Sequence, residues 1–502
     1  MDKTQSQPRL ASIDRSQLIL HTVDVENLIK QDHGARAIWE LIGRLDLSLY
    51  YAEIAAVEGE PGRDHTAPQL LISLWLYAYS RGISSAREVA RQCGFEPGLA
   101  WLCGLRPISH RTLAGFRSAH RSAVDDLFVQ VVGMLSAEGL ITMERFTLDG
   151  TKIKANASGN TFRRKEKIEA HLALAREQAQ KMNEQAEEEE KVSARKAAAQ
   201  RRAARQRVSR LEAALQEVER LQQGKRHSRG KSTARASGTD PEAHVMRNGD
   251  GGTVPSYNVQ LLTDTAQGFV VNIEATTDAI DYRQADAALK RCQQKLGVLP
   301  KQLVADGDYT NHASLQATAA AGVDFYGSWV DSWKPTEQDA HGRSGSFMSS
   351  AFPYDAARDV YSCPAGKALT LYTIKEQEHG VKTRIYRASK PDCRRCAMRN
   401  QCGPKKAKAD WRRSIARSEE SSVSAAFKTK MATEKAKLIY RQRSQIAEFP
   451  HAWIKERCGL RQFRCRGQEK TTIEALWACL SYNLTRWFSI RRRFKATIAA
   501  WA

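Results

Sequence analysis

No glycine falls between Gly159 and Gly224, and the stretch is drawn largely from Ala, Glu, Gln, Lys and Arg. That is the composition of a long helix. Leu211, Leu215, Val218 and Leu221 make a short apolar seam within it, which predicts a helical hairpin or a coiled-coil arm over 160–239. Any core this chain builds has to be assembled from segments on both sides of that insertion. The arm is polarised. Glu187 to Glu190 form an acidic block, whereas residues 191–236 hold fourteen Lys and Arg against three Glu. That excess of eleven is half of the net charge of +22. A charge run is usually a solvated face; a basic arm projecting from a nucleic-acid enzyme is the other reading. The segment closes in GKRHSRGKSTARASG, which reads as a flexible basic linker.

At 502 residues the chain exceeds what one core normally supports, so two to four domains or insertions are expected. A charge of +22 and a pI near 9.6 point to a polyanion as partner, with nucleic acid the natural candidate. An anionic membrane would require an amphipathic or lipidated anchor, and the sequence presents none. The opening MDKTQSQPRL is polar, which argues against a secretory signal, and the apolar run LLISLWLYAY is too short to span a bilayer. A soluble, cytoplasmic protein with no membrane partner is therefore expected. Ten cysteines in a chain of this length do not suggest a disulfide scaffold.

The first 140 residues read as helical. Leu70, Leu74 and Tyr77 form an apolar stripe, Ser85 to Glu88 is a capping box, and Ser109 caps a helix carrying Arg111 and Arg117. Pattern alone leaves a DNA-binding helix-turn-helix and a plain helical bundle equally open. Phe146 and Leu148 then alternate into Asp149-Gly150, a strand ending on a carboxylate, although Asp-Gly there also reads as a simple turn. Beyond the arm, YNVQLLTD and FVVNIEATT read as a hairpin. A helix over about 281–296, a strand ending at Asp306, a second helix and the strand VDFYGSWV follow. Between 335 and 430, Cys363, Cys393, Cys396 and Cys402 are a tetrahedral thiolate set for Zn²⁺ or reduced cysteines without metal.

YRQRSQIAEFPHAWIK (440–455) reads as a single helix. At roughly 100° per residue, Glu448 and Lys455 lie about 20° apart around its axis, with Tyr440 less than a quarter turn from both. Pro450 is expected to kink or restart it. Taken alone it is an amphipathic helix with solvated charges. Arg461, Arg464 and Arg466 follow closely enough to suit phosphate contacts. Leu476, Leu480 and Leu484, with Trp487, give the last helix a core-facing stripe.

These stretches resemble bacterial insertion-sequence DDE transposases along nearly the whole chain. PQLLISLWLYAYSRGISSARE and SHRTLAGFR look like the end-binding N-terminal domain, and ERFTLDGTKIKANAS like the first catalytic motif. Residues 440–455 look like the Tyr-Arg-Glu-Lys signature. The signature usually puts three residues between Arg and Glu, whereas Arg443 and Glu448 enclose four; the second motif usually has Gly where Asp308 precedes Tyr309. Asp308 is an extra ligand, a turn residue or the mark of a decayed copy.

The resemblance implies an α/β chain. An RNase H-like catalytic core (141–159, 240–334 and 431–470) is joined to an all-helical DNA-binding N-terminal domain (1–140). A basic helical insertion (160–239), a Cys-rich insertion (335–430) and a C-terminal helix (471–502) complete it. It further implies Asp149, Asp306 and Glu448 as catalytic ligands of two Mg²⁺ or Mn²⁺ ions. Tyr440, Arg443, Lys455, Arg461, Arg464, Arg466, Arg111 and Arg117 would contact DNA, and one structural Zn²⁺ would sit on the cysteines, because basic CxxC knuckles recur in the family. The implied partner is double-stranded DNA, both the element's terminal repeats and the target, engaged by a homodimer. Water would cut the element end and the freed 3′-hydroxyl would attack the target. A nuclease without strand transfer and an inactive DNA-binding derivative are the alternatives.

Overall fold

The computed structural model describes residues 22–54, 64–188, 194–224, 233–249, 251–329, 347–376, 382–404, 408–418 and 422–501. Strands are numbered β1 to β13 in chain order. At the centre is a six-stranded mixed sheet. β1 (Arg145–Lys154), β5 (Thr253–Asp264) and β6 (Val270–Thr276) form an antiparallel meander. β4 (His244–Arg247) pairs with the start of β5. On the other side β7 (Gln302–Ala305) and β8 (Asp324–Tyr326) run parallel to β1, in the order β1-β7-β8. This is the order and sense of an RNase H-like core. The arm is inserted between β1 and the rest of the sheet, so the two halves meet across it as the sequence requires.

The apolar residues of β1 and the hairpin, Phe146, Leu148, Val259, Leu261, Val271 and Ile273, are buried, and so are Thr147, Asn258, Gln260 and Asn272 between them. β1 does not end on Asp149, however. It runs five residues further, to Lys154, and Asp149 sits mid-strand opposite Leu261 of β5. Helices Gln284–Leu296 and His312–Ala320 make the connections to β7 and β8. Gly297 ends the first with φ +71°, and Asn311 caps the second by accepting from the Ser314 amide at 3.0 Å.

The N-terminal helices include Pro68–Ser80, in which Leu71, Ile72, Trp75 and Tyr79 are buried. The C-terminal helix Gln468–Trp501 wedges between these helices and the sheet. Its Ser481 hydroxyl donates to the Leu76 carbonyl (3.0 Å), while Asn483 accepts from the Val270 amide (3.0 Å) and donates to the Val270 carbonyl (2.8 Å). One continuous apolar core therefore runs from Ile38 through Trp75 and Trp477 to Leu261. The expected separate segments 1–140 and 471–502 share that core with the sheet.

The arm is a helical hairpin of Lys165–Glu188 and Ala194–Gln223. Its seam closes on itself: Leu211, Ala214 and Val218 are buried with Ile168, Leu172 and Ala175 of the first helix. Its base is pinned by β2 (Phe162–Arg163) paired with β3 (Ala236–Ser237). A contact between Glu217 and His244 of β4, at 2.8 Å, ties it to the sheet edge. Glu189, Glu190 and residues 225–232 of the linker lie outside the described residues.

The Cys-rich insertion carries a second, antiparallel sheet in the order β13-β12-β11-β10-β9. Its strands are β9 (Tyr354–Asp355), β10 (Val360–Ser362), β11 (Ala368–Glu376), β12 (Lys382–Ala388) and β13 (Ser414–Ser418). Two helices, not one, cover 440–455. The break falls at Gln442, between Glu434–Arg441 and Arg443–Glu456, and Pro450 is carried inside the second helix. Tyr440 is thus on a different helix from Glu448.

Candidate active site

Parallel pairing of β1 with β7 puts Leu148 beside Ala305, so Asp149, the next residue of β1, lies near Asp306, the residue that follows β7. Asp306 leaves its strand as the cap of a short turn, Gly307–Tyr309, and accepts from the Asp308 amide at 2.9 Å. Asp308 itself is exposed. In this position it is a turn residue, whose amide orients Asp306.

Helix Arg443–Glu456 packs against β1 and brings two side chains to one Asp149 oxygen. Arg443 Nη1 stands 3.8 Å and His451 Nε2 3.7 Å from Oδ2. Burial is the main force on the Asp149 carboxyl; Arg443 opposes it and the charges of Asp306 and Asp281 add to it, so its pKa rises to about 6. The Asp306 carboxyl is also raised, first by burial, with the Asp308 amide pulling it back. Burial, helped by Lys455, pushes the His451 ring down to about 3. The ring is therefore neutral, and its approach to Asp149 is not an ion pair. Neither of its nitrogens has a hydrogen-bond partner.

Beside β1 lies a polar cluster that no sequence motif announces. Asp281 Oδ1 accepts from Asn258 Nδ2 (2.7 Å) and Gln260 Nε2 (2.6 Å), and Lys152 Nζ lies 3.5 Å from Oδ2. The Tyr309 hydroxyl donates to Gln260 Oε1 at 2.6 Å. Gly150 faces this cluster. A Cβ there would meet Asp281 Oδ1 at 2.7 Å and Asn258 Oδ1 at 2.9 Å, with Gln260 Nε2 closer still. The glycine after Asp149 is required by that close approach, not by a turn. The available signal was modest: Asn258 and Gln260 alternate with apolar residues and so read as the wet face of a hairpin.

Glu448 is exposed on the same helix, three residues before His451. The structure brings Asp149, Asp306, Arg443 and His451 together and leaves Glu448 on the solvent side. Tyr440 is half-buried, with the Arg443 guanidinium 5.9 Å from its ring centre. Lys455 is half-buried. Arg461 pairs with Glu456, Arg464 is exposed, and Arg466 donates through Nε to the Asn156 carbonyl at 3.1 Å. These last three lie where residues 461–463 run alongside the end of β1.

Arg111 is exposed, but Arg117, read as a DNA contact, is a core residue. It is 4 % exposed, lies over Trp75 at 4.6 Å and pairs with the fully buried Glu474 at 3.6 Å. Glu474 also accepts from the Arg464 and Cys465 amides at 2.9 Å each. A helical Arg reads as exposed because its partner lies on another element, far along the chain.

Cys363, Cys393, Cys396 and Cys402 line one cavity of about 40 Å³, together with Trp411 and Arg413. All ten cysteines are thiols. The Lys367 amide points at Cys363 Sγ (3.3 Å) and the Arg413 amide at Cys393 Sγ (3.4 Å). Burial and the neighbouring thiols raise the Cys393 pKa. Among the described residues, no three His, Cys, Asp or Glu side chains already stand in a geometry that could hold a metal ion.

The sheet carries one aspartate on its first strand and another just past the strand parallel to it. Two family models match parts of the chain. Residues 362–488 match one described as "Transposase DDE domain", and residues 23–119 match one described as "Transposase domain (DUF772)". The first spans Glu448, Lys455 and most of the C-terminal helix; neither reaches Asp149 or Asp306. No curated protein and no solved structure matches the chain. The two matches support a DNA transposase of insertion-sequence type. No helix among the described residues is long and apolar enough to cross a membrane.

Proposed function

We propose that the chain is a DNA transposase that cuts the ends of its element and joins the freed 3′-hydroxyl to target DNA. The observation that carries this reading is the placing of Asp149, in β1, near Asp306, just past the strand parallel to it, under Arg443. Two neighbouring hard carboxylates, one of them half-protonated at about pH 6 without an ion, are what a divalent cation would be held by. Mg²⁺ or Mn²⁺ bound there would supply an activated water and stabilise the leaving oxygen. Asp149 and Asp306 would hold the ions. Glu448 would complete the set by turning in from the neighbouring helix once DNA covers it. Arg443 would neutralise charge on the phosphodiester, and Lys455, Tyr440, Arg461, Arg464, Arg466 and Arg111 would position the duplex through phosphates. The chain would act on DNA as a homodimer.

The four cysteines support a structural Zn²⁺. They face one cavity, and the Lys367 and Arg413 amides point at two of their sulfurs.

The test incubates purified protein with Mn²⁺, a supercoiled plasmid and duplexes carrying the DNA that flanks its reading frame. Insertion into the plasmid, lost in Asp149→Asn and Glu448→Gln, is expected. Cleavage without insertion would make it a nuclease. Binding without either reaction would make it a DNA-binding derivative.

A further inference from the structure

We propose that His451 is a metal ligand of the carboxylate site, a nitrogen donor beside Asp149 that biases the site towards Mn²⁺ over Mg²⁺. The inference rests on the reading of Asp149 and Asp306 as ion-holding groups. It starts from an anomaly. The His451 side chain is 9 % exposed, and both Nδ1 and Nε2 are buried with no hydrogen-bond partner. An unsatisfied buried polar group costs about 1–3 kcal/mol, and native structures rarely leave one without a use.

A direct hydrogen bond fails on distance. Asp149 Oδ2, the carboxylate oxygen that faces the ring, is 3.7 Å from Nε2, too far for a hydrogen bond. A cation between the two atoms fits. Two donors each about 2.1 Å from one ion stand roughly 3.0 Å apart at a right angle and roughly 4.2 Å apart in line. The observed 3.7 Å lies inside that span. Arg443, 3.8 Å from the same oxygen, opposes a cation and limits its affinity.

The identity of the donor sets the preference. Mg²⁺ takes oxygen ligands almost exclusively, whereas transition ions accept imidazole nitrogen readily. A site of carboxylates alone discriminates little between Mg²⁺ and Mn²⁺; one with His451 favours Mn²⁺.

The test titrates Mn²⁺ alone into chelator-treated full-length protein. It follows binding by electron paramagnetic resonance and nitrogen coupling by electron spin echo modulation. His451→Phe preserves apolar packing and His451→Gln preserves polarity, with circular dichroism as the check on folding. In the wild type, bound Mn²⁺ should show imidazole ¹⁴N coupling. Both variants should lose the coupling and bind Mn²⁺ about tenfold more weakly, while Mg²⁺ affinity, read by competition, changes far less. Bound Mn²⁺ without nitrogen coupling in the wild type would overturn the role of His451 and leave the carboxylate site standing. Coupling that survives in a folded variant would do the same. A wild type that binds no Mn²⁺, indistinguishable from Asp149→Asn, would remove both.

Discussion

Asp149 holds its proton more tightly in the folded protein than a carboxyl does in a disordered chain, about 6 against 3.8. Its contribution to stability is full below about pH 4 and is lost as pH rises through about 6. The difference amounts to about 3 kcal/mol. Chelator-treated protein should therefore lose stability across that window, and Asp149→Asn should flatten the loss; denaturant melts at pH 4, 5, 6 and 7 measure it. A variant as unstable at pH 7 as the parent would mean that Asp149 is better solvated than its burial indicates. Gly150→Ala should cost about 1–3 kcal/mol by forcing apart Asn258, Gln260 and Asp281. It should disturb cleavage even though the new methyl group touches no substrate. Arg117 and Arg111 sit six residues apart, one buried and the other exposed. Arg117→Ala leaves Glu474 buried and uncompensated, which should destabilise the protein by about 3–5 kcal/mol. Arg111→Ala should leave the melt unchanged and weaken DNA binding. Thermal melts and a binding titration on both variants separate the two cases.

Among the elements, those whose pattern is local were legible in the sequence. The hairpin over 253–276, the helix over 284–296 and the capped helix starting at His110 appear where alternation and caps put them. Elements that depend on partners distant in the chain were not. Gln442 carries no breaker, yet the helix parts there, and Pro450 stays within a helix whose packing on β1 outweighs the one backbone bond it forgoes. In the Cys-rich insertion β9 and β10 are only two and three residues long, and β11 is mostly exposed, so little of that sheet could be read. Of the expected site, Asp149 and Asp306 lie near each other and Arg443 stands 3.8 Å from Asp149. Glu448 is exposed, and His451 had no pattern to announce it.

The arm's seam was legible as a stripe, but not what covers it. Ile168, Leu172 and Ala175 cover Leu211, Ala214 and Val218, while Leu215 and Leu221 stay half-buried. Leu215→Asp should accordingly melt the hairpin, seen as reduced helicity and rapid proteolysis, without changing the sedimentation of the remainder. Arg202 and Arg205 are exposed on the arm. Replacing both, together with half-buried Arg201, by Gln should lower DNA affinity for all sequences alike. The slope of log affinity against log salt should become shallower by about 1 for each phosphate no longer neutralised. An unchanged slope would make the arm a solvated insertion without a role in binding.

For the whole molecule, the continuous core predicts one cooperative unit where the sequence suggested several. Residues 22–140 expressed alone lack the helix that fills their groove and should show no sharp thermal transition. Adding residues 468–492 through a flexible joint should restore one, followed by circular dichroism.

The position of that helix in the chain has a consequence for how the protein is made. The groove between Leu76, Arg117 and Val270 is filled by residues synthesised after every other part of the core. While the ribosome is still translating, the nascent N-terminal helices present an open apolar trench and an unneutralised Arg117. A message cut short before codon 474 would yield a chain prone to aggregation and capture by chaperones. Such a fragment could not persist as a competitor for the full-length protein's DNA sites.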